Sequence, residues 1–188
     1  MTPRELEEYR TLRDTIRERG TARVYVFLAG LAAWGALTIA TAALASLPVA
    51  TFLPLLVLAA AFEAVFSLHV GVERIGRYVQ VFLEDPEDED KDNLGWEHVV
   101  MEAGPPLRGT SVDPLFTVYF LIATLLNFVP VLLAEPVPLE VSVVGAAHVL
   151  VAVRMMLARR AASHQRAADL ARFLELRAGR AGRAGKAG

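Results

Sequence analysis

The chain has 188 residues, of which 54% are hydrophobic and 21% charged, with a formal net charge of −2 and a mean hydropathy of +0.40. The length suits one domain, but the apolar residues gather in long uncharged blocks instead of spreading as those of a water-soluble core do. No cysteine is present, which excludes disulfides, thiol chemistry and thiolate metal sites.

The first element, residues 1–23, is an amphipathic helix. Thr2-Pro3-Arg4-Glu5 reads as an N-cap, a proline at the first helical position and a glutamate at the third. Leu6, Tyr9, Leu12 and Ile16 then recur at steps of three, three and four, which defines one apolar face with charges around the rest. Gly20 predicts a stop or bend. So narrow a stripe needs a partner to pack against.

Two apolar blocks follow, Val24–Ser46 and Val49–Val70, and no charge stands between Arg23 and Glu63. Crossing a bilayer takes about 20 such residues, so residues 24–70 predict a transmembrane hairpin turning at Leu47-Pro48. Ala43-Leu44-Ala45 imitates a signal-peptide cleavage site. The apolar run before it is longer than a signal core, however, and its leading segment carries mixed charge. Ala32, Ala36 and Ala40, with Gly35, form a small-residue seam suited to close helix packing within the bundle or between protomers.

Nothing breaks the second helix until Asp85-Pro86, so residues 71–114 begin as its extension, with Val72, Ile75, Val79 and Phe82 on one side. His69 and Glu73, Glu73 and Arg77, and Arg74 and Tyr78 are spaced for an ion-pair ladder where this helix leaves the lipid. The alternative for these five residues is a vestibule below Glu63. In Glu84–Asn93 eight of ten residues are charged. Asp88, Asp90 and Asp92 imitate the start of a calcium loop, but Asn93 and Val99 occupy positions that need glycine and glutamate, so a solvated loop is expected. Trp96, Val99, Val100 and Ala103 then make a short face for the membrane interface or the side of the collar.

Leu115–Ala134 and Val137–Val153 form a second hairpin, residues 115–153, turning through Glu135-Pro136-Val137-Pro138. Residues 154–177 continue as a helix with Leu157, Ala161, Leu170, Phe173 and Leu174 on its apolar side. The Arg-Ala-Gly repeat of residues 178–188 has nothing to build a core, and a disordered basic tail is expected. Of the 19 basic residues, six precede the first span, four lie between spans two and three and nine follow the fourth, with none in the two outer turns. The positive-inside rule places both termini and the middle segment in the cytoplasm. The expected fold is therefore all-α, a four-helix transmembrane bundle with a cytoplasmic helical collar packed through Leu6, Tyr9, Leu12, Ile16 and Phe173.

With these pieces in place, the first hundred residues resemble a family of small uncharacterised bacterial integral membrane proteins. The resemblance is carried by Glu8-Tyr9-Arg10-Thr11-Leu12-Arg13-Asp14-Thr15-Ile16, by Ile75-Gly76-Arg77-Tyr78-Val79 and by Trp96-Glu97. Asp14 replaces the family's usual glutamate. The resemblance implies a multi-pass protein of the inner membrane and brings no established activity.

The residues with chemistry to offer inside the spans are Glu63, His148 and Asn127. By helical rise Glu63 lies about 21 Å and His148 about 16 Å from the outer edge, on helices running the same way, so depth allows them to meet. A charge at such depth costs about 2.5–3.5 kcal/mol and calls for a partner. Asn127, near Pro130, is placed to satisfy backbone groups freed at that bend. No Ser/His/Asp set, histidine metal spacing or glycine-rich phosphate loop occurs, so neither an enzyme nor a cofactor is expected. The leading expectation is a homo-oligomeric, non-enzymatic membrane scaffold in contact with lipids and with room for a cytoplasmic protein partner. Nucleic acid is disfavoured because no basic groove or stacking platform accompanies the tail. The alternative is a small ion- or proton-conducting assembly centred on Glu63.

Overall fold

The computed structural model describes residues 2–41, 47–84, 113–133 and 137–184, and those residues are almost entirely helical. The elements in chain order are α1 (Pro3–Thr41), a short 3-10 turn (Pro48–Thr51), α2 (Phe52–Phe82), α3 (Thr117–Leu133) and α4 (Pro138–Ala184). Three of them, α1, α2 with its leading turn, and α4, are long and apolar enough to cross a membrane. The fourth, α3, carries no charge and is mainly apolar but has 17 residues, about 26 Å at helical rise. The acidic loop beyond Glu84, the Trp96 face and the 134–136 turn lie outside the described residues.

The N-terminus of α1 has the expected cap. The Thr2 N–H donates to Glu5 Oε2 at 2.7 Å, and the Glu5 N–H donates to Thr2 Oγ1 at 3.3 Å. This reciprocal box satisfies donors that the first helical turn leaves open. Gly20 neither stops nor bends the assignment, because α1 runs unbroken to Thr41. One internal glycine costs only about 1 kcal/mol, less than exposing several backbone groups. For the same reason α4 extends through Gly179 and Gly182 to Ala184. The Ala and Arg between those glycines are strong helix formers, and the repeat expected to be disordered is helical that far.

The chain divides into two packed units. The first is made of Thr21–His69 and Asp113–Arg160. Its core joins Phe27 of α1, Phe62 of α2 and Phe120 of α3, with Phe120 edge-on to both others at 5.6 and 5.4 Å between ring centres. Leu58, Val65, Val131 and Val144 are fully buried around them. α1 approaches α2 closely where Gly30 faces Ala61, since a Cβ on Gly30 would overlap the Ala61 methyl. The seam of Ala32, Ala36 and Ala40 instead lies exposed on α1, and Gly35 has open space beside it. Asp113 caps α3 by accepting from the Leu115 and Thr117 N–H groups at 3.2 and 3.0 Å. Phe116 sits there at φ 50°, a strained setting for a bulky residue, with its ring stacked on Phe27 at 4.2 Å.

The second unit is made of Met1–Gly20, Val70–Val112 and Ala161–Gly188. Tyr78 and Phe82 of α2 enclose Phe173 of α4, with ring centres 6.1 and 6.0 Å from it. Tyr9 Oη donates to Glu84 at 3.3 Å, and Tyr78 Oη donates to Glu8 at 2.8 Å. Leu12 and Ile16 are half-buried, while Leu6 near the free end stays exposed. On α4, Ala158 of the first unit is buried and Leu157 exposed, and in the second unit Ala162 is buried and Phe173 half-buried while Ala161 and Leu174 point outward. Small residues let a helix lie close to its neighbours within each unit.

Candidate functional site

The polar centre of the first unit is Asn127. Its side-chain amide donates to the Thr51 carbonyl at 3.0 Å and to His148 Nε2 at 3.0 Å, and its Oδ1 accepts from Trp34 Nε1–H at 3.1 Å. The orientation is forced, because turning the amide over would set its oxygen against the Thr51 carbonyl. His148 donates Nδ1–H to the Val144 carbonyl one helical turn back, at 2.8 Å. That leaves the Nε2 lone pair for Asn127, so both ring nitrogens and all three polar positions of the amide are used. Asn127 is 1% and His148 6% exposed. The network ties α1, the 3-10 turn, α3 and α4 together with no loose end. Asn127 thus turns outward to other elements and does not serve the backbone opened by Pro130. The Leu126 carbonyl there loses its usual donor because proline has no N–H.

Glu63 does not pair with His148. Its Oε2 accepts from Arg154 Nη2 at 2.7 Å, joining α2 to α4, and the guanidinium also lies over the Phe66 ring at 5.3 Å. The side chains of Arg154 and Glu63 remain 48% and 45% exposed. They differ from the sealed Asn127 network in that half of each faces outward.

At the junction of α1 and α2 within the first unit, His69 is buried and Arg23 Nη1 lies 3.2 Å from its Nδ1. A guanidinium can only donate, so Nδ1 is the acceptor. In the second unit Glu73 receives two guanidinium groups, Arg166 Nε at 3.0 Å and Arg77 Nη2 at 3.4 Å. Arg77 is 3% exposed and also donates to Gln80 Oε1 at 3.1 Å. Arg74 pairs with Asp169 at 3.4 Å on the surface, and Tyr78 reaches Glu8. Of the expected ladder, Glu73 and Arg77 pair as spaced, while His69 meets α1 in the first unit and Glu73, Arg74 and Tyr78 meet α4 or α1 in the second.

Sequence reasoning missed Trp34 and Arg154. Trp34 lies far from the ends of its apolar block, where an indole N–H needs an acceptor, and that was the available signal. Arg154 was hidden by its position, since as the first charge after a hydrophobic block it marks the end of a span. An apolar groove of about 320 Å³ lies between α3 and α4, with Leu125, Phe128, Gly145 and Val149 among its walls and His148 beneath. Among the described residues no group of three or more His, Asp or Glu side chains converges to hold a metal.

No family model, curated protein or solved structure matches the chain.

Proposed function

We propose that this is an integral membrane protein whose four helices cross the bilayer with both termini in the cytoplasm. Its second unit then serves as a cytoplasmic helical collar, and its role is that of a non-enzymatic scaffold that self-associates and docks a cytoplasmic protein. Support for the membrane comes from three helices of spanning length and from the apolar surface of the first unit. Tyr25, Leu125 and Leu150 are each 69% exposed and Ile39 78%, far beyond what scattered surface residues of a soluble monomer require. At 17 residues, α3 reaches the lower limit of a spanning helix, about 17–25 residues. Topology follows from the distribution of Arg and Lys.

The observation that carries the scaffold reading is the closure of the polar network around Asn127. Asn127 and His148 consume each other's hydrogen-bonding capacity together with Trp34, Thr51 and Val144, and Glu63 is already neutralised by Arg154. A permeation path needs polar groups that exchange partners, and a sealed network holds its partners. The test is proton and potassium flux through proteoliposomes, wild type beside Glu63→Gln. Tight vesicles for both, under an imposed potential and at several pH values, are expected. Ion leak in wild type that Glu63→Gln abolishes would establish the conducting alternative instead. A scaffold should also lose partner capture when Leu12, Ile16 or Phe173 is made polar.

A further inference from the structure

We infer that the outward face carrying Glu63 and Arg154 is where a second copy of this chain docks, each copy's Arg154 reaching Glu63 of the other; this rests on the membrane-scaffold reading above. Three observations lead there. First, the ion pair is half exposed on a surface that is otherwise apolar. Leu150 and Val153 beside Arg154 are 69% and 48% exposed, and Leu157 one turn on is 52% exposed. In a bilayer that exposure is to hydrocarbon, where unshielded charge is costly.

Second, among the described residues the Arg154 guanidinium makes one hydrogen bond, to Glu63. Four of its five N–H donors are left over, in surroundings where each unfilled donor is unfavourable. What would fill them is a carboxylate at the same depth, and Glu63 of a second copy supplies one. Two copies related by a two-fold axis along the membrane normal insert the same way. They set Arg154 of each against Glu63 of the other, giving a ring of four alternating charges with no net charge.

Third, α2 is built for a close neighbour at this spot. Leu56, Ala60, Glu63 and Ser67 follow one another at steps of four, three and four along one side of the helix, and all but the half-exposed Glu63 are exposed. The residues just before and after Glu63 on that line are small, which lets another helix come near enough for the charges to meet.

Because the chain has no cysteine, Ser67→Cys reports the contact directly in native membranes. Oxidation should give a disulfide-linked dimer from Ser67→Cys and none from Leu125→Cys, an exposed position on α3. The decisive variant is the charge swap Glu63→Arg/Arg154→Glu, which keeps the pair within each copy. Alone it should still cross-link. Co-expressed with the unswapped chain under different tags it should sort, because mixed dimers place like charges face to face. The mixed fraction is expected to fall from about one half to under about one tenth. Free mixing at one half, or absence of the Ser67→Cys dimer, overturns the inference. Should the swap fail to accumulate, Glu63→Gln/Arg154→Gln must reduce cross-linking at least about tenfold while the monomer persists, and unchanged cross-linking overturns the inference equally. Dimers that mix freely remove this face but leave the scaffold reading intact, whereas ion flux through the reconstituted protein removes that reading without altering the cross-link.

Discussion

His148 accepts the Asn127 amide hydrogen at 3.0 Å, across 21 residues of sequence, while its other nitrogen is bound to the Val144 carbonyl. This pairing makes Asn127 the keystone of the first unit. Asn127→Leu leaves the Trp34 N–H and the His148 lone pair buried without partners, each a penalty of about 1–3 kcal/mol before relaxation. Stability in detergent micelles should fall by about 2 kcal/mol, whereas Trp34→Phe, which strands only the Asn127 Oδ1, should cost about half as much, roughly 1 kcal/mol. Thermal unfolding followed by tryptophan emission measures the first, and circular dichroism serves both. Equal losses for the two variants would show that the network is not centred on Asn127.

Gly30 and Ala61 set the spacing of α1 on α2. Gly30→Val forces the helices apart and should destabilise by about 1–3 kcal/mol. Ala61→Gly vacates the overlapping methyl, so Gly30→Ala/Ala61→Gly should recover most of the loss caused by Gly30→Ala alone. Recovery in a thermal melt is the check, and additive losses would contradict the contact.

Glu73 holds Arg77 and Arg166 at once in the second unit. Glu73→Gln removes the carboxylate that the buried Arg77 and the half-exposed Arg166 share, and should cost about 2–3 kcal/mol. Adding Arg77→Met removes one of the two cations that this carboxylate served and should restore part of the stability. Trypsin sensitivity at Arg166 reports the loosening. If the double variant is more sensitive than Glu73→Gln, the interaction is not the one described.

Glu5 lies fully exposed, yet its carboxyl is held below the ordinary value of 4.5, chiefly by the Thr2 backbone N–H and then by the Thr2 side chain. A depressed carboxylate stabilises the fold above its ordinary value, and that contribution is lost as pH falls through the lowered one. Amide exchange over the first turn of α1 should therefore rise on acidification from about pH 4.5 downward, after correction for intrinsic rates. Glu5→Gln should show raised exchange at neutral pH and a weaker pH response. A response unchanged by the substitution would rule out the capping carboxylate as its source.

Much of the local structure was legible in the residues alone. The capping box at Thr2 and Glu5, the helical runs and the Glu73–Arg77 spacing depend on neighbours within one or two turns, which the sequence lists directly. Hydropathy likewise marked the apolar blocks. Helix length is less legible: at Gly20 a continuous backbone ladder outweighs the small penalty of one glycine, and past Arg177 a repeat with nothing to build a core still keeps that ladder as far as Ala184.

What tertiary structure decided is rotation. In water the apolar stripe of a helix marks its buried face, but a helix apolar on every side carries no such mark, since lipid and core are equally hydrophobic. Periodicity therefore could not tell whether Glu63 would meet His148 or Arg154, nor that Asn127 would turn toward Trp34 and Thr51. It also could not show that Leu157 faces out while Ala158 faces in. Those choices rest on shape, on small residues such as Gly30 that let helices approach, and on a few polar groups finding partners across segments far apart in sequence. The amino-acid order determined the helices, and their packing determined which charges meet.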